Sequence, residues 1–296
     1  MFLLFLILLL FRQLTFLITK GKEITTPTLA QAQPKLLESF KILLIGPWGV
    51  GKSIAASEFY KMGKVHVSEF DGKARSLINH YQNIPEAMSN ISYEPYHSLN
   101  FKEFLTWMDV QQTDGPKFKT WILDSVTSAS NTAILYQLWK KDKAVKTSKA
   151  GLPVTGFDEL NAETVFFTDL LEASNHLNEK FGTNIIWIAH PVSKMEIVKE
   201  EGKLDESRRY ESISSYGYKV PSLIPTKFDE IYRMYVEKIG PDKYRRLAHT
   251  SMFNDGNIVA RTSIGLPPIM DVTDGLYSAM IKLLKKKEED VASVAK

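Results

Sequence analysis

The sequence predicts an α/β domain: a mainly parallel sheet flanked by helices and followed by a β-rich carboxyl-terminal extension. Three observations carry that prediction. Short buried-strand runs recur along the chain, KILLI (41–45), TWIL (120–123) and NIIWIA (184–189). Helical patterns separate them, so the strands are joined by crossovers, and crossovers give parallel pairing. Each run stops at a glycine or a polar residue, on the carboxyl edge where open α/β sheets collect their ligands.

Taken in order, the first apolar run predicts a strand over 41–46. SIAASEFYKM, stopped by Gly63, predicts a helix over 51–62, and GKVHVSEF predicts a strand over 64–70. A mixed region with a helix near 100–112 leads to a strand over 119–124 and a helix over 128–141. DELNAETVFFTDLLEASNHLNEKFG, with its Gly182 stop, predicts a helix over 158–181 that feeds a strand over 184–190. Beyond Pro191 the chain is polar, charged and without period to about Pro225, which predicts a long loop of functional use. FDEIYRMYVEK, YRRLAHTSMF and NIVARTS then read as strands at hairpin spacing, and DGLYSAMIKLLKKK as a helix before a charged tail. There is no internal repeat.

With 296 residues, 44% hydrophobic and 24% charged, the composition is that of a globular domain rather than a disordered or multispanning chain. The net charge of +3 is too small to indicate a nucleic-acid partner by itself. The absence of cysteine excludes disulfides, thiolate metal sites and cysteine nucleophiles, and suits the cytoplasm. The expected organisation is an apolar segment and linker over 1–34 outside the fold, the folded domain over 35–286, and the tail over 287–296. The apolar run Met1–Phe11 is too short to span a bilayer before Arg12 and Gln13 interrupt it. An extension irrelevant to the fold, a membrane anchor and a signal peptide all stay open for it, and a membrane partner is expected only if that segment is genuine.

GPWGVGKS (46–53) fits the GxxxxGK[ST] phosphate loop at Gly46, Gly51, Lys52 and Ser53. Gly46, Gly49 and Gly51 let successive N–H groups face one concavity, with Pro47, Trp48 and Val50 between them. The helix that follows, through Ile54, adds the positive end of its dipole. Lys52 is expected to reach the β- and γ-phosphates of ATP, and the Ser53 hydroxyl to ligate Mg²⁺. A glycine-rich turn with a solvated lysine is the plain alternative. Asp124, at the end of its strand, is the expected second acidic element, holding Mg²⁺ with Ser125 placed to orient it. A helix N-cap is the alternative role for Asp124. His190 repeats that strand-end position and is expected to sense the γ-phosphate or the attacking water, against an ordinary hydrogen-bonded histidine. Glu69 and Asp71 both lie at the end of the 64–70 strand. One of them is expected to orient the hydrolytic water, and the alternation with Val65 and Val67 favours Glu69 as the catalytic carboxylate.

In sequence order GPWGVGKS, SEFDG, ILDSVTS, IIWIAH and PSLIPTKFDEIYRMYVE resemble the phage-type RecA-like ATPases, P-loop proteins of the AAA/RecA-like kind found beside phage recombination and replication functions. The likeness runs from about Lys41 to Pro268. It implies a RecA-like P-loop NTPase fold, ATP hydrolysis with Mg²⁺, binding or annealing of single-strand DNA, and a homo-oligomeric ring or filament. It also implies that Lys52 and Ser53 hold phosphate and Mg²⁺, that Asp124 is the second acidic motif, and that His190 is the sensing strand end. SEFDG departs from a plain strand-end glutamate, which implies slow turnover. DNA contacts are implied around Lys140–Thr155 and Ser193–Val220, where Lys140, Lys141, Arg208, Arg209, Tyr216 and Tyr218 supply cations and rings. Arg245, Arg246 and Arg261 are available to complete a neighbour's site. A helicase or packaging motor, and a nucleotide-dependent assembly switch with little turnover, are the alternatives.

Overall fold

Period-2 burial decides the architecture. In β1 (Lys41–Ile45), Leu43 and Ile45 enter one apolar cluster while Ile42 and Leu44 enter another, so the strand is covered on both faces. A computed structural model describes residues 39–140, 156–198, 206–251 and 260–294. Within them β1 is followed by α1 (Lys52–Ser57) and a 3₁₀ turn (Glu58–Met62), β2 (Val65–Glu69), α2 (Ala74–Tyr81), α3 (Pro85–Asn90) and β3 (Ile91–Pro95). Then come α4 (Phe101–Asp114), β4 (Thr120–Asp124), α5 (Val126–Lys140), α6 (Phe157–Phe181) and β5 (Asn184–Ala189). β6 (Pro191–Val198), β7 (Glu206–Ile213), α7 (Val220–Leu223), β8 (Glu230–Lys238), β9 (Tyr244–His249), β10 (Ile269–Asp271) and α8 (Leu276–Val294) complete the order.

Eight strands form one sheet in the order β10-β9-β8-β1-β5-β4-β2-β3. From β8 to β3 the pairing is parallel, and β9 and β10 extend it antiparallel at one edge. This is a mixed α/β fold with a mostly parallel sheet flanked by helices, the P-loop NTPase architecture. Phe104 of α4, Ala133 of α5 and Phe167 of α6 cover one face beside Trp121 and Trp187. Ala55 of α1, Leu77 of α2 and Leu276 of α8 cover the other beside Ile122 and Ile186. Among the described residues no helix is long and apolar enough to cross a membrane.

Several elements differ from the sequence expectation. The periodless stretch after Pro191 contains an antiparallel ribbon, with Pro191 opposite Ile213 and Val198 opposite Glu206. A two-stranded ribbon satisfies its ladder without a strict apolar face, so it leaves little alternation to read. α2, α3 and the edge strand β3 occupy the region taken as mixed, and β3 is only half-buried, which weakens its apolar signal. The helix expected to stop at Lys287 continues to Val294, because lysine and glutamate are good helix formers. The first three residues of NIVARTS lie outside the described residues; the rest forms no strand, and its Arg261 makes an isolated bridge to Ile231. The 1–34 segment and the lysines 141–149 also lie outside the described residues.

The carboxyl-terminal helix is tied to the loop helix by Glu58. Its buried carboxylate accepts the Ser278 N–H at 3.1 Å and the Ser278 hydroxyl at 2.5 Å, and pairs with Lys61 at 2.5 Å. It thereby caps the first turn of α8 from another element. Gly275, at φ +117, gives it room, because a Cβ there would fall 2.0 Å from the carboxylate carbon. Glu58→Ala is expected to lower the unfolding free energy by about 1–2 kcal/mol, and Gly275→Ala by more, in urea titrations. An unchanged midpoint in both would refute the capping role.

Candidate functional site

The parallel register brings four strand ends to one level. Ile45 pairs with Ala189, Asp124 with Ile188, and Glu69 with Asp124. The residues that follow β1, β2 and β5 therefore meet Asp124 at the carboxyl edge. The phosphate loop leaves β1 at Gly46, whose N–H donates to the Ala189 carbonyl at 3.3 Å. No side chain fits at Gly46, since a Cβ would sit 2.6 Å from the Met234 carbonyl oxygen of β8. Gly49 and Gly51 adopt φ +79 and +85, the left-handed region that favours glycine. Val50 is buried in the core and Ile54 packs beside it, and the Ile54 carbonyl accepts the Tyr81 hydroxyl at 2.8 Å.

Lys52 is only 5% exposed. Its ammonium donates to the carbonyls of Gly46 (2.7 Å) and Pro47 (2.8 Å) and lies 3.3 Å from His190 Nδ1. Burial lowers its pKa to about 8, against the opposing pull of Asp124 and Asp71. Ser53 Oγ donates to Asp124 Oδ2 at 2.5 Å. Burial raises the Asp124 carboxyl to about 6; the Ser53 hydrogen bond acts against this, while the charges of Asp71 and Glu69 add to it. A serine hydroxyl and a strand-end carboxylate in contact form an oxygen pair of the kind Mg²⁺ takes, alongside waters and substrate phosphates. Among the described residues no three His, Asp or Glu side chains form a metal cage, and Mg²⁺ does not need one.

The structure thus brings together Lys52, Ser53, Asp124 and His190. His190 is buried, stacks on Trp48 with centroids 3.6 Å apart, and turns Nε2 toward Asp71 Oδ2 at 3.6 Å. Lys73 Nζ lies 3.9 Å from the Trp48 ring centroid. Glu69 is close by, but its oxygens accept the Lys73 N–H (2.9 Å) and the Tyr93 hydroxyl (2.7 Å). Asp71 is the more central of the two carboxylates, accepting Ser125 Oγ at 2.9 Å and facing His190 and Lys73. Burial works to raise Asp71, yet His190, Ser128 and Ser125 outweigh it and hold the carboxyl well below its ordinary range. Ser125 therefore orients Asp71, not Asp124. Strand alternation favoured Glu69 because it does not see past the strand; the Asp71-Gly72 turn, with Gly72 at φ +70, returns Asp71 to the site.

Two of the three arginines are committed elsewhere. Arg245 pairs with Glu237, and Arg261 donates to the Phe228 carbonyl at 3.0 Å and the Pro225 carbonyl at 2.9 Å. Arg246 lies against Gly51 of its own chain. Tyr216 and Tyr218 are exposed, Lys140 ends α5, and the side chains of Arg208 and Arg209 lie outside the described residues.

A family model described as an AAA domain matches residues 38–261. No curated protein matches the chain. One solved structure it is similar to is a unique ATP synthase subunit, NeqB, from Nanoarcheaum equitans, at 13% identity and a TM-score of 0.40. The alignment covers 67% of this chain and 46% of that one, so this chain spans less than half of that subunit.

Lys52 and Asp124 each give the free protein a pH response. Between about pH 4 and 6 the folded chain keeps a proton on Asp124 that the unfolded chain has released, so this group's contribution to stability falls as pH rises through that window. Between about pH 8 and 10.5 the unfolded chain keeps a proton that Lys52 has released, so stability gains with pH there. Asp124→Asn is expected to remove this falling contribution, leaving the rise with pH contributed by buried His66, whose pKa burial lowers to about 4, and to raise the unfolding free energy at pH 7 by about 1–3 kcal/mol. Urea titrations at pH 4, 5.5 and 7 check this; an unaltered slope would contradict the assignment.

Proposed function

The chain belongs to the AAA domain family, and from that membership we propose that it is a Mg²⁺-dependent, RecA-like ATPase that binds single-strand DNA and acts in phage recombination or replication as a homo-oligomeric ring or filament. The observation that carries the reading is the convergence of Lys52, Ser53, Asp124, Asp71 and His190 at one sheet edge. Lys52 supplies the cation for the β- and γ-phosphates, and Ser53 and Asp124 are the residues that would hold Mg²⁺. Held there, Mg²⁺ would supply neutralisation of the charge on the phosphate oxygens. Asp71 is the carboxylate that holds and polarises the attacking water, kept ionised by its neighbours. His190 touches both Lys52 and Asp71, so it senses whether phosphate has drawn the ammonium away.

The DNA part of the reading is supported by chain order. His190 is followed at once by β6, so a displacement at the site passes directly into the β6–β7 ribbon, whose sequence carries Arg208, Arg209 and Tyr210. The exposed Tyr216 and Tyr218 follow it, offering stacking faces. An assembly switch with little turnover is the second reading, favoured by the engagement of Glu69 with Lys73 and Tyr93.

ATP hydrolysis with and without single-strand DNA separates the two readings. Stimulation by DNA, lost in Lys52→Ala by about 100-fold or more, is the result expected of the ATPase. Binding of nucleotide with no effect of DNA supports the switch. Asp71→Asn is expected to cut turnover about 100-fold with ATP binding retained, and Glu69→Gln by less than about tenfold. The reverse ranking would return the catalytic role to Glu69.

A further inference from the structure

Trp48 stands in the phosphate loop with 60% of its surface in water, while its neighbour Val50 supplies the loop's anchor in the core. An indole so placed adds little to packing. Its ring and cation contacts among the described residues both go to neighbours of Asp71. His190 stacks on it with centroids 3.6 Å apart and planes 16° from parallel, and Lys73 Nζ lies 3.9 Å from its ring centroid. Asp71 Oδ2 in turn lies 3.6 Å from His190 Nε2 and 3.4 Å from Lys73 Nζ. The contacts thus close a circuit, from Trp48 to His190 to Asp71 to Lys73 and back, and Trp48 is the member that the phosphate loop carries.

We propose that Trp48 is a positioning residue: it sets the plane of the His190 ring and the place of the Lys73 ammonium, and through them holds the Asp71 carboxylate where it meets the attacking water. The inference rests on the ATPase reading given above, with Asp71 as the carboxylate that holds the water. A histidine's outer torsion is broad, so the imidazole's own preference does not aim its nitrogens. The aim matters at this position. Lys52 Nζ lies 3.3 Å from Nδ1, and an ammonium only donates, so Nδ1 accepts and the ring proton sits on Nε2, facing Asp71. A turn of the ring would lose both partners together, and a flat indole stacked on it opposes that turn. The Lys73 backbone is fixed by its N–H on Glu69 at 2.9 Å, but its long side chain is half-exposed. The indole and Asp71 are what hold its far end among the described residues. Trp48 has no carboxylate or hydroxyl to offer a metal and no titrating group to move a proton, so it acts through these neighbours.

Steady-state hydrolysis of Mg·ATP by the full chain separates positioning from packing. Trp48→Leu, which keeps bulk and loses the flat ring, is expected to lower kcat about tenfold and to leave KM within about twofold, and Trp48→Phe to recover most of the loss. In the double variant Trp48→Leu with Asp71→Asn, kcat is expected to be no lower than in Asp71→Asn alone, because the indole acts through that carboxylate. Trp48 is a surface site, so its variants are expected to keep the wild-type urea midpoint. In the free chain the carbon-bound ring protons of His190, assigned by their loss in His190→Ala, are expected to lie upfield under the indole and to move downfield in Trp48→Leu. Equal kcat in the wild type and Trp48→Leu, equal losses in the Leu and Phe variants, a change in KM alone, a lowered urea midpoint, or full additivity with Asp71→Asn would each overturn the proposal and leave the ATPase reading in place. So would His190 resonances that Trp48→Leu does not move. Wild-type chain without hydrolysis that depends on Lys52 would overturn the ATPase reading itself and this proposal with it.

Discussion

The burial of one positive charge organises the carboxyl edge of the sheet. An ammonium almost removed from water is costly to keep, and the depression of Lys52 to about pH 8 expresses that cost. Two loop carbonyls and the nearby carboxylates of Asp124 and Asp71 keep it from falling further. The carboxylates are under the opposite pressure: Asp124 is pushed toward neutrality, while Asp71 is held ionised by His190, Ser128 and Ser125. A triphosphate entering here exchanges places with the carbonyls as the partner of Lys52. It also meets two carboxylates of its own sign, which is the physical reason the proposed activity calls for a divalent cation.

The sheet determines what this charge is coupled to. The loop is wedged between β5, which receives the Gly46 N–H, and β8, whose Met234 carbonyl closes on Gly46. β5 continues through His190 into the β6–β7 ribbon, and β8 continues into β9, which carries Arg246 back to Gly51. The two strands beside the loop thus lead directly to the ribbon and to the arginine that lies over Gly51. Glu58 joins the far end of the loop helix to α8, so the helix that begins at Lys52 is anchored in the carboxyl-terminal part of the chain.

The parallel core was legible because its strands are buried on both faces and read as continuous apolar runs, as KILLI and NIIWIA do. The loop residues and Asp124 were legible because their spacing is imposed by phosphate geometry and by the strand end. Asp71 was only half legible: alternation within β2 points to Glu69, and the turn that redirects Asp71 is a tertiary outcome. Arg246 was visible as a cation but not as a neighbour of Gly51, since nearly 200 residues and the antiparallel β9 separate them. The ribbon after Pro191 escaped because its pairing is local and its pattern is polar.

Proton uptake on nucleotide binding tests the central claim most directly. Near pH 8 Lys52 is about half protonated in the free chain and fully protonated once phosphate is its partner. Calorimetric titration of Mg·ATP at pH 8, in buffers of different ionisation enthalpy, should therefore show uptake of about half a proton per site, falling at pH 6.5 and turning toward release as Mg²⁺ frees the proton that Asp124 still carries there. Binding with no proton uptake at pH 8 would mean that the lysine charge is not strained in the free protein and would contradict the account.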